Sequence, residues 1–65
     1  MAFYKIKFSV DGIVFNEYEG YMKGIKGAKT SASGAVQSNE NITIEIFDVA
    51  GRLLVKKEKG KWIDE

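Results

Sequence analysis

The chain contains no cysteine, no histidine and no proline among its 65 residues. Without cysteine it has no thiolate nucleophile and no disulfide framework, and without histidine it lacks the side chain that titrates near neutral pH. Zinc sites built from cysteine or histidine are excluded for the same reason. Any catalysis would depend on carboxylates, lysines or hydroxyls alone, so we expect a non-enzymatic protein with no cofactor and no metal site.

The charges nearly balance, since 10 Lys and Arg face 9 Asp and Glu and the formal net charge is +1. Bulk charge therefore does not indicate a nucleic-acid or membrane protein. No apolar run approaches the roughly 18 residues of a membrane span, and the N-terminal segment alternates lysine with apolar residues where a signal peptide would be continuously apolar. We therefore expect a soluble, cytoplasmic protein that does not bind membranes.

The small size of the chain limits its core. A domain of about 65 residues buries only about 60% of the surface that its unfolded chain exposes. Ordering each residue costs roughly 1.5 kcal/mol, and apolar burial must offset that cost without a disulfide. Self-association would bury further apolar surface, so the sequence favours a homo-oligomer or a protein that docks on a larger one.

The N-terminal segment has the two-residue period of a half-buried strand. Apolar side chains share one parity at Tyr4, Ile6, Phe8 and Val10. Asp11 and Gly12 follow directly, and Asp-Gly between apolar runs is among the strongest hairpin signals. Residues 3–22 are therefore predicted to form an antiparallel hairpin.

The register of this first hairpin has two alternatives. A two-residue turn would place Glu17 opposite Ile6 on the apolar face. A type I turn with Gly12 in the left-handed conformation would instead pair Phe8 with Val14. We favour the second register because a carboxylate aimed at the core is costly unless it is paired.

Residues 42–59 are predicted to form a second hairpin, because Ile42, Ile44 and Ile46 share one parity. The corner is the segment 48–52, where Gly51 fits the left-handed position of a bulged type I turn. This turn pairs Phe47 with Leu53 and Ile46 with Leu54.

The opposite parity of the second hairpin is also apolar, which is typical of a sheet covered on both faces. The residues concerned are Phe47, Val49, Leu53 and Val55. A short chain has few residues left to cover them, so we predict that this set contributes to a subunit or partner interface.

The segment 24–41 is rich in glycine, serine and lysine and is predicted to be a loop. Ala32, Ala35 and Val36 have helical spacing, so a short helical turn inside the loop is an alternative, although Gly34 would cost it about 1 kcal/mol. Residues 60–65 form a tail or a short last strand that carries Trp62.

These elements predict a single all-β domain spanning residues 1–65. Its two antiparallel hairpins would form a small SH3-like barrel or a strongly twisted sheet.

Two basic clusters suggest an alternative function. One lies at the start of the predicted loop and contains Lys23, Lys26 and Lys29, with Tyr21 beside it. The other lies at the end of the second hairpin, before Trp62. Converging lysines and aromatic rings would suit single-stranded nucleic acid or a nucleotide. Lysines also protect the edges of small sheets against aggregation, and we favour this role for them. Nucleic-acid binding is therefore the alternative, and protein interaction is the predicted function.

Overall fold

The computed structural model describes residues 2–36 and 41–64, and its strands form one antiparallel sheet in the order β2-β1-β3-β4-β5. The elements are β1 (Ala2–Val10), β2 (Ile13–Met22), α1 (Gly24–Val36), β3 (Thr43–Phe47), β4 (Leu53–Glu58) and β5 (Lys61–Asp64). The predicted all-β class is confirmed. The sheet is open, with β2 and β5 at its edges, and is not closed into a barrel.

Helix α1 corrects the prediction of a loop over residues 24–41, because Gly24–Val36 is a helix of 13 residues. Residues 37–40 of the predicted loop lie outside the described residues. Ile25, Ala28 and Ala32 follow one another at helical spacing, and both alanines are fully buried. Their packing against the sheet outweighs the cost of the glycines inside the helix. The alternative of a short helical stretch at Ala32, Ala35 and Val36 had the right type of structure but was too short.

The core lies between α1 and one face of the sheet. Its buried apolar side chains are Tyr4, Ile6, Phe8, Ala28, Ala32, Ile44, Ile46 and Val55. The strands supply the bulky residues and the helix supplies alanines, so the helix backbone approaches the sheet closely. The sequence predicted that Tyr4, Ile6 and Phe8 of β1 share the buried face, and all three lie in the core. The helix therefore covers the face of the sheet that these residues occupy.

The first hairpin closes with a two-residue turn at Asp11 and Gly12. Both residues have positive φ, 51° and 80° respectively, which is the conformation of the tight turns that match strand twist. Val10 pairs with Ile13. The positive φ of Gly12 confirms the prediction for this glycine, but the favoured type I turn was wrong.

A bulge at Phe15 then shifts the register of the first hairpin. Phe8 pairs with Asn16, and Ile6 pairs with Tyr18, so the predicted pairing of Phe8 with Val14 was also wrong. The bulge reverses the parity of the strand beyond it. Glu17 therefore leaves the core face, which removes the objection to a two-residue turn.

The second hairpin has the predicted corner. Gly51 has a φ of 86°, and Phe47 pairs with Leu53 as expected. The Asp48 carboxylate Oδ1 accepts hydrogen bonds from the backbone N–H groups of Ala50, at 3.0 Å, and Arg52, at 2.8 Å. Asp48 thereby stabilises the turn through its side chain.

A second bulge, at Leu54, shows that the register predicted for the rest of this hairpin was wrong. Ile46 pairs with Val55 and not with the predicted Leu54. The extra residue reverses the parity, so Val55 joins Ile46 in the core and is only 5% exposed. Val55 therefore no longer belongs with the other apolar residues that the sequence assigned to an interface.

Within residues 2–36 and 41–64, α1 is too short and too polar to cross a membrane.

Gly12→Val and Gly51→Val test the turn assignments. Each should lower the free energy of unfolding by about 1–2 kcal/mol, because a β-branched residue resists positive φ even where its side chain meets no neighbour. Gly34→Ala is the matched control, since a Cβ at this helical glycine also meets open space and alanine favours the helix. Thermal melts should show lower Tm for both valine variants and an unchanged or higher Tm for the control. Unchanged Tm in both valine variants would contradict the turns.

Candidate functional site

The face of the sheet opposite α1 is here called the open face, because no described element packs on it. Its residues alternate along the strands with those of the core. The apolar ones are Phe3, Val14, Tyr21, Phe47, Leu53 and Ile63. Of these, Tyr21 is 71% exposed and Val14 and Ile63 are each 47% exposed. A sheet face that contacts only water usually consists of polar side chains, so these apolar residues indicate a surface that binds something else.

A row of four charged residues crosses the middle of the open face and is here called the charge ladder. It consists of Glu17, Lys7, Glu45 and Lys56 on the neighbouring strands β2, β1, β3 and β4. The signs alternate along the row, so every cross-strand neighbour has the opposite charge. All but Glu17 are partly buried, which means that their aliphatic stems lie along the sheet.

Lys56 at the end of the ladder also pairs along its own strand with Glu58. Its Nζ lies 2.8 Å from Oε1 of Glu58. A hydrogen bond and attraction from the Lys56 ammonium lower the pKa of Glu58, burial opposes this effect, and the charge of Lys59 adds to the lowering. Both side chains are partly solvated, so the pair contributes little stability but fixes where the Lys56 charge lies.

Aromatic side chains lie along one side of the ladder, in the neighbouring rows of the open face. The Phe3 and Tyr21 rings meet edge to face with centroids 5.3 Å apart. The Lys7 Nζ lies 5.3 Å from the centroid of the Phe47 ring, and Leu53 is the cross-strand neighbour of Phe47. The open face thus combines a charged centre with an apolar margin. Many protein interfaces have the opposite arrangement, with an apolar centre and a polar rim.

The residues that the sequence assigned to an interface divide between two places. Phe47 and Leu53 lie side by side on the open face, and Val49 is 79% exposed in the adjoining turn. Val55 is in the core and is not accessible to a partner. The sequence analysis overlooked Phe3, which shares the parity of the β1 lysines and could have been found from that alternation.

The β2 edge carries a further apolar segment that the sequence analysis did not single out. Ile13, Val14 and Phe15 are consecutive and are 69%, 47% and 53% exposed. The bulge at Phe15 distorts this end of the edge, and bulges of this kind hinder edge-to-edge pairing. Val14 belongs to the open face, whereas the Phe15 ring lies on the helix side, with its centroid 6.4 Å from that of Phe8.

A second surface lies on the helix side of the sheet around Trp62 and is here called the Trp62 cluster. The Nζ atoms of Lys29 and Lys57 each lie 5.6 Å from the centroid of the Trp62 ring. Lys57 Nζ is also 3.4 Å from the hydroxyl of Ser33. Lys29 and Ser33 are one helical turn apart on α1, whereas Lys57 and Trp62 are paired on β4 and β5.

The predicted basic site is only partly assembled. Lys29 of the first cluster meets Lys57 of the second at Trp62. Tyr21 does not join them, because it lies on the open face of β2, at the other edge of the sheet. Lys23 and Lys26 are exposed beside and on the helix.

An open depression of about 310 Å³ lies on the open face, lined by Ser9, Gly12, Val14, Thr43, Glu45, Lys56 and Glu58. Charges of both signs adjoin each other there, so the depression favours neither an anion nor a cation. No group of three or more acidic side chains within the described part of the chain could hold a metal ion.

Comparison with known proteins finds no matching family model, no matching curated protein and no matching solved structure.

Removal of the Lys56 charge tests the electrostatics of the open face. Lys56→Gln should raise the pKa of Glu58 toward its ordinary value, because the variant lacks the cation that stabilises the carboxylate. In the parent, the lowered pKa means that this pair stabilises the fold above about pH 4.5 and loses that effect as the pH falls through the folded-state pKa. An NMR titration of the Glu58 carboxyl carbon measures the change. Lys61→Gln is the control, and an equal change in both variants would contradict the assigned pair.

Proposed function

We propose that the chain is a non-enzymatic protein-interaction module that works as a homo-oligomer through its open face. The observation that carries the proposal is the uncovered sheet face with apolar residues at its margin. Helix α1 can cover only one side of the sheet, and the sheet holds both aromatic and aliphatic side chains on the other.

Four of the apolar residues support the proposal because they lie together on one side of the charge ladder. Phe3 on β1 and Tyr21 on β2 are cross-strand partners, as are Phe47 on β3 and Leu53 on β4. Val14 lies on the other side of the ladder. Single exposed apolar residues are ordinary on a protein surface, but a connected patch is characteristic of an interaction site. A small chain gains in stability when association buries such a patch.

Leu53→Glu tests the proposed surface. The added charge should weaken self-association at least about tenfold, because a carboxylate facing an apolar contact is desolvated without a partner. Thr30→Glu on the exposed side of α1 is the matched control and should leave association unchanged. Sedimentation equilibrium over a wide range of concentrations measures both variants and the parent. A parent that stays monomeric at the highest concentration would contradict the proposal.

A second candidate function is the binding of single-stranded nucleic acid at the Trp62 cluster. The specific observation in its favour is that two lysines from separate basic clusters meet on one indole ring. Lysine ammonium groups bind phosphates and an indole stacks on a base, so the cluster has the two components of such a site. The original grouping with Tyr21 is replaced, because that ring lies on the open face.

Fluorescence anisotropy of a short single-stranded DNA separates the two functions. If nucleic acid binds, Lys29→Ala combined with Lys57→Ala should flatten the plot of log affinity against log salt by about 1.4, since each phosphate contact contributes about 0.7. The Lys23→Ala/Lys26→Ala double variant is the control and should flatten the slope less. Absence of saturable binding at low salt would exclude the second candidate. Trp62 is the sole tryptophan, so its fluorescence provides an independent signal.

A further inference from the structure

The charge ladder has a symmetry that follows from the alternation of its signs over an even number of strands. Read from β2 to β4, its signs are negative, positive, negative and positive, and its midpoint lies between Lys7 on β1 and Glu45 on β3. Reversal of the row exchanges every positive charge for a negative one. A row with this property is complementary to a reversed copy of itself.

From this pattern we infer that a second copy of the chain docks face to face on the open face, related by a twofold axis that runs parallel to the strands between β1 and β3. The inference rests on the proposed function and specifies the geometry of that association. The axis places Lys7 of each copy opposite Glu45 of the other. It also places Glu17 opposite Lys56, so all four charges of the ladder meet the opposite sign.

The neighbouring row of the open face fits the same axis at its two central positions, whereas at its ends Glu19 of each copy faces Leu53 of the other. Lys5 and Phe47 are cross-strand partners on either side of the axis, so each Lys5 faces the Phe47 ring of the other copy. An ammonium group over an aromatic ring is attractive, and more so when water is excluded. Phe3 and Tyr21 lie at the end of the sheet where the second copy presents the β3–β4 turn with its exposed Val49.

Other axes do not give this match. A twofold axis across the strands, along the ladder itself, would place each charge opposite the same residue of the second copy. Glu17 would then face Glu17 and Lys7 would face Lys7, and like charges brought together in an interface strongly disfavour the complex. Direct edge-to-edge pairing through β2 would leave the ladder outside the interface and would require pairing across the bulge at Phe15.

The size of the face is sufficient for a specific dimer. The two longest dimensions of the molecule are 29 Å and 21 Å. A face of these dimensions covers roughly 600 Å² per copy. The axis overlaps four of the five strands and leaves β5 outside, so a dimer would bury about 1,000 Å² in total, at the lower limit of specific interfaces. In such an interface, the paired charges mainly set orientation and the apolar margin supplies burial.

Charge-reversal variants combined in trans provide the test. Glu17→Lys and Lys56→Glu each place like charges opposite one another at two points of the homodimer and should weaken it at least about tenfold. In an equimolar mixture, the introduced lysine of one variant meets the introduced glutamate of the other. The mixture should therefore form a heterodimer with an affinity near that of the parent. Repair within one chain cannot explain this rescue, because each variant retains its own altered ladder.

A second pair, Lys7→Glu with Glu45→Lys, repeats the test at the centre of the ladder. Glu17 is exposed, so the first pair carries less risk to folding, and far-ultraviolet circular dichroism confirms the fold of every variant. Lys26→Glu on the outer side of α1 is the control and should neither weaken the parent dimer nor rescue a variant.

Sedimentation equilibrium of the parent, the variants and their mixtures decides the outcome. Weak homodimers that recover in mixtures support the twofold axis. A parent dimer whose reversal variants still dimerise, or fail to recover when mixed, would overturn the axis while leaving self-association in place. A monomeric parent would overturn both the axis and the proposed function.

Discussion

The packing of one short helix on one face of the sheet is the contact on which the rest of the structure depends. Ala28 and Ala32 are fully buried against Ile6, Ile44 and their neighbours, and small side chains allow the helix to approach closely. One helix cannot cover two faces of a sheet. The chain therefore buries the residues of one parity and leaves the other parity exposed, and the character of the exposed parity determines what the molecule can bind.

Two bulges decide which residues are exposed. The extra residue at Phe15 moves Tyr18 toward the helix, where its hydroxyl lies 3.2 Å from that of Ser31, and turns Glu17 to the open face. The extra residue at Leu54 moves Val55 into the core. Without these reversals of parity, a carboxylate would point into the core and the row of alternating charges would not form. Local irregularity in the hairpins thus creates both the apolar core and the charged centre of the open face.

The sequence predicts the strand parity of β1 and the positive φ of Gly12 and Gly51, because alternation and positive-φ positions are local signals. It does not predict the type of the first turn. The bulges depend on which side chains pack best across the sheet, and no local pattern marks Leu54 as the extra residue. The helix was missed because its glycines and serines resemble a loop, although Ile25, Ala28 and Ala32 already had helical spacing. The meeting of Lys29 with Trp62 depends on helix docking and could not be derived from spacing alone.

The central claim is that a second copy binds the open face, and concentration-dependent NMR shifts of the backbone amides test it most directly. On dilution from millimolar to micromolar protein, the account predicts shifts confined to the open-face residues of β2, β1, β3 and β4, with Lys7 and Glu45 at the centre of the affected region. Amides on the exposed side of α1 and the indole N–H of Trp62 should stay constant. Shifts centred on the helix or on the Trp62 cluster, or no shifts at all, would contradict the account.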